Sequence, residues 1–253
     1  MALLSIVVLC YNRLDYTKKT ISTLIDKTKV KHEFIFVDNN SKDDTKKYLA
    51  SLRGKTNAVR ELYVFNKRNY GVAGGRNSGL IKARGDHLMT IYNDIFVPDD
   101  YDKHLIDACK IKKLGITGIN VESKKYSIVN INGIKVQLKK DNLGGGCLCL
   151  PRRVFSRVGY YSPDFVYCGE DCDMHLRLKK IGLSGAYIVP NGKHMDERQN
   201  KVYYEFKRHA HLPGSEQVEK INANIRKYVL SNNVYVPYSV PKIFRTKDGR
   251  IIK

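Results

Sequence analysis

The chain has 253 residues, 42% of them hydrophobic, enough for a buried core in one large domain or two small ones. No run approaches the roughly 20 consecutive apolar residues of a membrane span, and the apolar residues 2–10 lack the basic flank and cleavage site of a secretion signal. A formal net charge of +20 favours encounter with polyanions or anionic surfaces over a neutral partner.

Residues 4–9 are a continuous apolar strand candidate, and Tyr16, Thr20, Ile21 and Leu24 mark one face of the helix that follows. Residues 34–37 read as a second strand, 43–52 as a helix, 62–65 as a third strand, 72–83 as a helix and 87–91 as a fourth strand. Pro98 stands where a helix begins, running towards Leu114. Strands that are apolar throughout and alternate with helices argue for a parallel sheet covered on both faces, an α/β fold. Further on, residues 126–131 and 134–138 flank Asn132-Gly133, a strong hairpin signal. Gly144-Gly145-Gly146 leads into another strand, residues 151–158 and 171–180 read as helices, and Gly182 fits a helix stop. A polar loop follows Pro190, a terminal helix is expected around residues 216–230, and the last twenty residues read as an extended basic arm.

Six cysteines stand at Cys10, Cys109, Cys147, Cys149, Cys168 and Cys172. Cys147-x-Cys149 with Cys168-x-x-x-Cys172 invites a zinc reading, but neither pair has the two-residue spacer usual in structural knuckles. Free cysteines in a reducing compartment are expected.

In an open parallel sheet, ligands bind at the carboxyl ends of the strands. The first strand ends in Cys10-Tyr11-Asn12-Arg13 and the second in Asp38-Asn39-Asn40-Ser41. A carboxylate at such a tip can accept from a base N–H or a ribose hydroxyl; Asp38 or Ser41 capping the next helix is the alternative. Residues 69–77, small and glycine-rich, permit close backbone approach to phosphate at a helix start, although their spacing is neither a P-loop nor the dinucleotide fingerprint. The fourth strand ends in Tyr92-Asn93-Asp94, where a carboxylate can hold a hard divalent cation across two phosphates or act as a turn residue. Gly169-Glu170-Asp171 sets two acids at a helix start, as caps or as a proton acceptor.

As an ordered set these motifs resemble the family 2 glycosyltransferases with the GT-A fold. The resemblance covers roughly residues 3–196 and rests on residues 6–13, 36–45, 69–77, 92–94 and 169–173, with Arg177 and Gly182 after them. It implies a Rossmann-like, mostly parallel central sheet flanked by helices, with a small antiparallel hairpin and a helical C-terminal extension. The catalytic domain would span residues 1–196, with donor binding in about 1–100 and the acceptor side in about 101–196, followed by the 197–253 extension. The resemblance also implies roles. Asp38 would recognise the base, usually uracil, with Tyr11, Asn12, Arg13 and Asn40 around it. Arg76 and Asn77 match the segment bordering the diphosphate, with Asn93 nearby. Asp94 matches the last acid of the Asp-x-Asp metal motif, and His194 falls where a late metal-binding histidine occurs. Asp171 matches the catalytic base, with Glu170 beside it. One departure stands out: Tyr92 replaces the first acid of the metal motif.

The function so implied is inverting transfer of a sugar from a nucleotide-diphosphate donor, a UDP-sugar, to an acceptor hydroxyl, assisted by Mn2+ or Mg2+. The basic balance points to a polyanionic acceptor such as hydroxymethylated, phage-type DNA, contacted through phosphates. The alternative is a peripheral-membrane enzyme extending a polyprenyl-linked or cell-surface saccharide on anionic lipid. Tyr203, Tyr204, Phe206, Lys207 and Arg208 suit either partner. A second alternative is a catalytically inactive nucleotide-binding module. With no membrane segment, the chain is expected in the cytoplasm (the host's, if viral) or peripheral to a membrane.

Overall fold

The computed structural model describes residues 2–122, 125–139, 142–163, 165 and 169–195. The predicted helix around 216–230, the terminal arm, the whole 197–253 extension, Tyr203 to Arg208 and Cys168 lie outside the described residues.

The first half alternates as its apolar pattern requires. β1 (Leu4–Cys10), β2 (His32–Asp38), β3 (Arg60–Phe65) and β4 (His87–Tyr92) are separated by α1 (Leu14–Lys27), α2 (Thr45–Ser51) and α3 (Gly71–Leu80). β1 pairs in parallel with both β2 and β4, and β2 in parallel with β3. Every residue of β1 and β2 is buried. Residues on the two faces of these strands enter separate apolar layers, Ile6, Val8 and Phe36 on one side and Val7, Leu9 and Val37 on the other. α3 packs on the second layer because its glycines leave no side chain in the way. A Cβ on Gly75 would stand 2.5 Å from Leu9 Cδ1, and one on Gly79 2.3 Å from Val7 Cγ1.

The second half completes one nine-stranded sheet. α4 (Tyr101–Ala108) leads to β6 (Leu114–Gly118), the hairpin β7 (Ser127–Ile131) and β8 (Ile134–Leu138), β9 (Cys147–Pro151), α5 (Arg152–Val158), α6 (Glu170–Lys180) and β10 (Ser184–Ile188). The strand order is β3-β2-β1-β4-β9-β6-β10-β8-β7. β9 runs antiparallel to both β4 and β6, whereas β10 is parallel to β6. Two short strands, β5 (Ile95–Phe96) and β11 (Lys193–His194), pair antiparallel outside this sheet.

Strands of both the 1–100 and the 101–196 stretches therefore share one sheet, mixed α/β in class and wound as a GT-A fold. The helix expected from Pro98 to Leu114 ends early, at Ala108. Its buried face is complete with Tyr101, Leu105 and Ala108, and residues 114–118 instead form a fully buried strand. Asn132-Gly133 makes the expected hairpin, with φ of 53° and 85°. The described cysteines are all free, and no group of three or more His, Cys, Asp or Glu gathers among the described residues. Cys147 and Cys149 are buried strand residues.

Candidate active site

The carboxyl ends of β1, β2, β4, β6 and β10 and the amino end of β9 lie along one edge of the sheet. Left-handed backbone at Asn12, Arg13 and Asn40, with φ of 52°, 62° and 67°, turns the chain sharply beyond the first two tips. The tips are stitched to each other: Asn12 N donates to Ser41 Oγ at 2.8 Å, Lys42 N to Asn12 Oδ1 at 2.7 Å, and Ser41 N to Asp38 Oδ1 at 3.1 Å. Asp38 is buried at the end of β2, while Tyr11 and Asn40 stand half-buried beside it. Asn39, which sequence reasoning passed over, bonds Asn69 Oδ1 and Gly71 O and accepts from Tyr70 N, fixing the approach to α3.

At the end of β4, Asn93 Nδ2 donates to Asn12 O at 3.0 Å and to Thr17 Oγ1 at 2.7 Å, locking β4 to the start of α1. Asp94 Oδ2 lies 3.2 Å from Arg13 Nη1 and 3.4 Å from His194 Nε2. The β5–β11 pairing carries His194 there, with Met195 N donating to Asp94 O at 2.9 Å. Arg13 also stacks on Tyr16, 3.9 Å from the ring centroid.

A third group sits beneath the start of α6. Arg76, fully buried, lies between the rings of Tyr92 and Tyr161 at 4.6 and 4.9 Å. Its Nη1 donates to Glu170 Oε1 at 3.2 Å and its Nη2 to Gly145 O. The Tyr92 hydroxyl donates to the same Glu170 oxygen at 3.1 Å. Burial, opposed by the Arg76 charge and reinforced by that of Asp171, pushes the Glu170 carboxyl up to about 7. Tyr92, buried and facing that carboxylate, is held protonated far above its ordinary range. Asp171, next along the helix, is half-buried.

The loop before β9 is held residue by residue. Leu143 N donates to His175 Nε2 at 3.2 Å, Gly144 N to the Tyr187 hydroxyl at 2.6 Å, Gly145 O accepts from Arg76, and Gly146 O accepts from Tyr92 N at 3.0 Å. Because Nε2 of His175 accepts, its Nδ1 carries the proton and donates to Asp171 O at 2.8 Å. Burial lowers the pKa of this imidazole. Gly145 is tightly enclosed: a Cβ there would stand 3.0 Å from Arg76 Nη2 and 3.2 Å from both Glu170 Oε1 and the Tyr92 hydroxyl, so these side chains would have to give by a few tenths of an ångström.

The sequence-derived residues thus fall into three linked groups: Asn12, Asp38 and Asn40; Arg13, Asn93, Asp94 and His194; Arg76, Glu170 and Asp171. Asn77 stands apart, its buried amide exchanging two bonds with the backbone of Tyr161. Sequence reasoning missed Thr17, Gly145, Tyr161, His175 and Tyr187. Of these only Gly145 carried a signal, the glycine triplet. As for a cation, Asp94 and His194 offer one carboxylate and one imidazole 3.4 Å apart, with Arg13 on the same carboxylate oxygen. That fits an ion taking its remaining ligands from a diphosphate and water, and does not make a protein-only cage.

The family model described as glycosyl transferase family 2 matches residues 5–144. An uncharacterized glycosyltransferase of Haemophilus influenzae is 30% identical over 138 residues, covering 54% of this chain and 52% of its own, so the chain spans about half of that relative's length. The mannosyltransferase PcManGT from Pyrobaculum calidifontis, solved in complex with GDP-Man and Mn2+, superposes with a TM-score of 0.65 at 15% identity, over 92% of this chain and 66% of that one. TarS 1–349 of S. aureus, in complex with UDP-GlcNAc, gives a TM-score of 0.64 at 15% identity, over 93% and 68%. At such identities the superpositions speak for a shared fold. The family match spans more than half of the sequence and takes in the stitched tips, Arg76 and Asp94, and the chain belongs to glycosyl transferase family 2.

Proposed function

We propose that the chain transfers a sugar from a UDP-sugar to an acceptor hydroxyl, with inversion at the anomeric carbon. The observation that carries this reading is the bond from Tyr92 to Glu170, which joins the strand tip bearing Asp94 to the helix start bearing Asp171. Solved proteins of the same fold holding GDP-Man with Mn2+, and UDP-GlcNAc, support a nucleotide-sugar donor.

In this reading the base lies at the stitched tips, with Tyr11 and Asn40 flanking Asp38. Asn12 shapes the pocket through its bonds to the 41–42 backbone. Asp94 and His194 would hold a divalent cation, Mn2+ or Mg2+, whose positive charge stabilises the leaving diphosphate. Glu170 is buried, so Asp171 is the carboxylate an incoming hydroxyl can reach. As the acceptor oxygen bonds to the anomeric carbon from the opposite face, its proton passes to Asp171. The electron pair of the broken carbon–oxygen bond leaves with UDP. Arg76, Tyr92 and Glu170 are positioning residues that set the start of α6, and Asn77 holds the 161 segment over Arg76.

The acceptor is polyanionic in this reading, with DNA carrying hydroxymethylated pyrimidines as the class to test first. The net charge of +20 supports it, as do the exposed Lys42, Lys46, Lys47, Lys67 and Arg68 in the segments that follow β2 and β3. Phosphate contacts would make binding independent of sequence and steeply salt-dependent.

The test offers UDP-sugars with and without Mn2+ to the chain, against hydroxymethylated duplex DNA and against liposomes bearing a polyprenyl-linked saccharide. Glycosylated DNA with salt-steep binding is the expected result. Transfer to the lipid-linked saccharide alone would replace the acceptor and keep the chemistry. Donor binding with neither hydrolysis nor transfer would leave a nucleotide-binding module and overturn the proposal.

A further inference from the structure

We infer that Arg13 is a displaceable counter-ion of Asp94: it competes with a divalent cation for the carboxylate and moves to the donor's diphosphate when the nucleotide arrives. The inference rests on the reading of Asp94 as a cation ligand.

Arg13 Nη1 and His194 Nε2 both approach one oxygen of Asp94, at 3.2 and 3.4 Å. The three side chains are only 12%, 19% and 11% exposed for Arg13, His194 and Asp94, so water screens the ion pair weakly. Its placement is built into the backbone. Arg13 sits in the left-handed region at the cap of α1, and its carbonyl accepts from Thr17 N at 3.0 Å and Thr17 Oγ1 at 3.3 Å. The guanidinium stacked on Tyr16 is therefore aimed at Asp94.

A cation takes this carboxylate oxygen only where the guanidinium gives way. A dication on Asp94 would stand beside that guanidinium and repel it. Tyr92 sharpens the competition. Tyr92 adds no charge at the β4 tip, and the carboxylate of Asp94 already faces the guanidinium of Arg13. A diphosphate adds negative charge there, and the planar fork of arginine suits phosphate oxygens. Nucleotide and cation should then bind cooperatively, with Arg13 carrying part of the coupling.

Loss of the free Mn2+ electron-spin signal, titrated on the full chain with and without UDP, reads this directly. Without UDP, Arg13→Ala is expected to bind Mn2+ at least about fivefold more tightly than wild type, while its UDP affinity without metal falls by a similar factor. Arg13→Lys, which keeps the charge, should stay nearer wild type. Should Arg13→Ala fail to fold in a thermal melt, Arg13→Gln, which retains the stem over Tyr16, carries the same comparison. Equal or weaker Mn2+ binding without UDP in the charge-removing variant overturns the inference. Asp94→Ala separates the two failures. If Asp94→Ala binds Mn2+ with UDP as wild type does, the cation assignment itself falls. If it loses binding while Arg13→Ala matches wild type, only the Arg13 inference falls.

Discussion

The Tyr92 hydroxyl donates to Glu170 Oε1 over 3.1 Å, across 78 residues of sequence. This bond makes Tyr92 the strut between β4 and α6.

Tyr92→Phe should therefore destabilise the fold. The ring still covers Arg76, but Glu170 loses a buried donor, a change of about 1–3 kcal/mol. Denaturant unfolding checks this, and an unchanged midpoint would mean that the strut is dispensable.

Glu170 titrates with a definite sign. Its carboxyl is lifted from 4.5 to about 7, so the folded chain holds this proton more tightly than the unfolded chain. The stabilisation is complete below the ordinary value and is lost as pH rises through about 7. Glu170→Gln removes the titration. In melts from about pH 5 to about pH 8, the variant should gain on wild type as pH rises. Parallel pH curves would contradict the assignment.

Gly79→Ala tests the seating of α3. Helix propensity alone favours alanine by about 1 kcal/mol, yet the new Cβ would lie 2.3 Å from Val7 Cγ1 and 2.9 Å from Val37 Cγ2. Overpacking of this kind costs about 1–3 kcal/mol, and a net loss of stability is expected in urea unfolding. A stabilised variant would place α3 farther from β1.

Much of the first half was legible because β1, β2 and β4 are buried on both faces and show it as largely apolar runs. The hairpin was legible through Asn132-Gly133. β6 and β10 were not: each has five residues and includes glycine, and the interior position that makes them strands depends on partners distant in sequence. In β6, a Cβ on Gly115 would meet Leu178 Cδ2 at 2.6 Å and force a shift, a contact no local pattern encodes. The site divides in the same way. Asp94, Glu170 and Asp171 stand in recognisable motifs, whereas the Arg13–Asp94 pair joins residues 81 apart and exists only once α1 is seated on β4. Asn77 lies in a motif but faces Tyr161, because the polarity of an amide does not reveal which partner it takes.

The most direct measurement is single-turnover transfer from a UDP-sugar by Asp171→Asn, with UDP affinity measured on the same sample by calorimetry. The expected result is a fall in the chemical rate of about 10²–10⁴-fold with UDP binding unchanged. An undiminished rate, or a loss of UDP binding that accounts for the whole defect, would contradict a proton-accepting role for Asp171 and the reaction built on it.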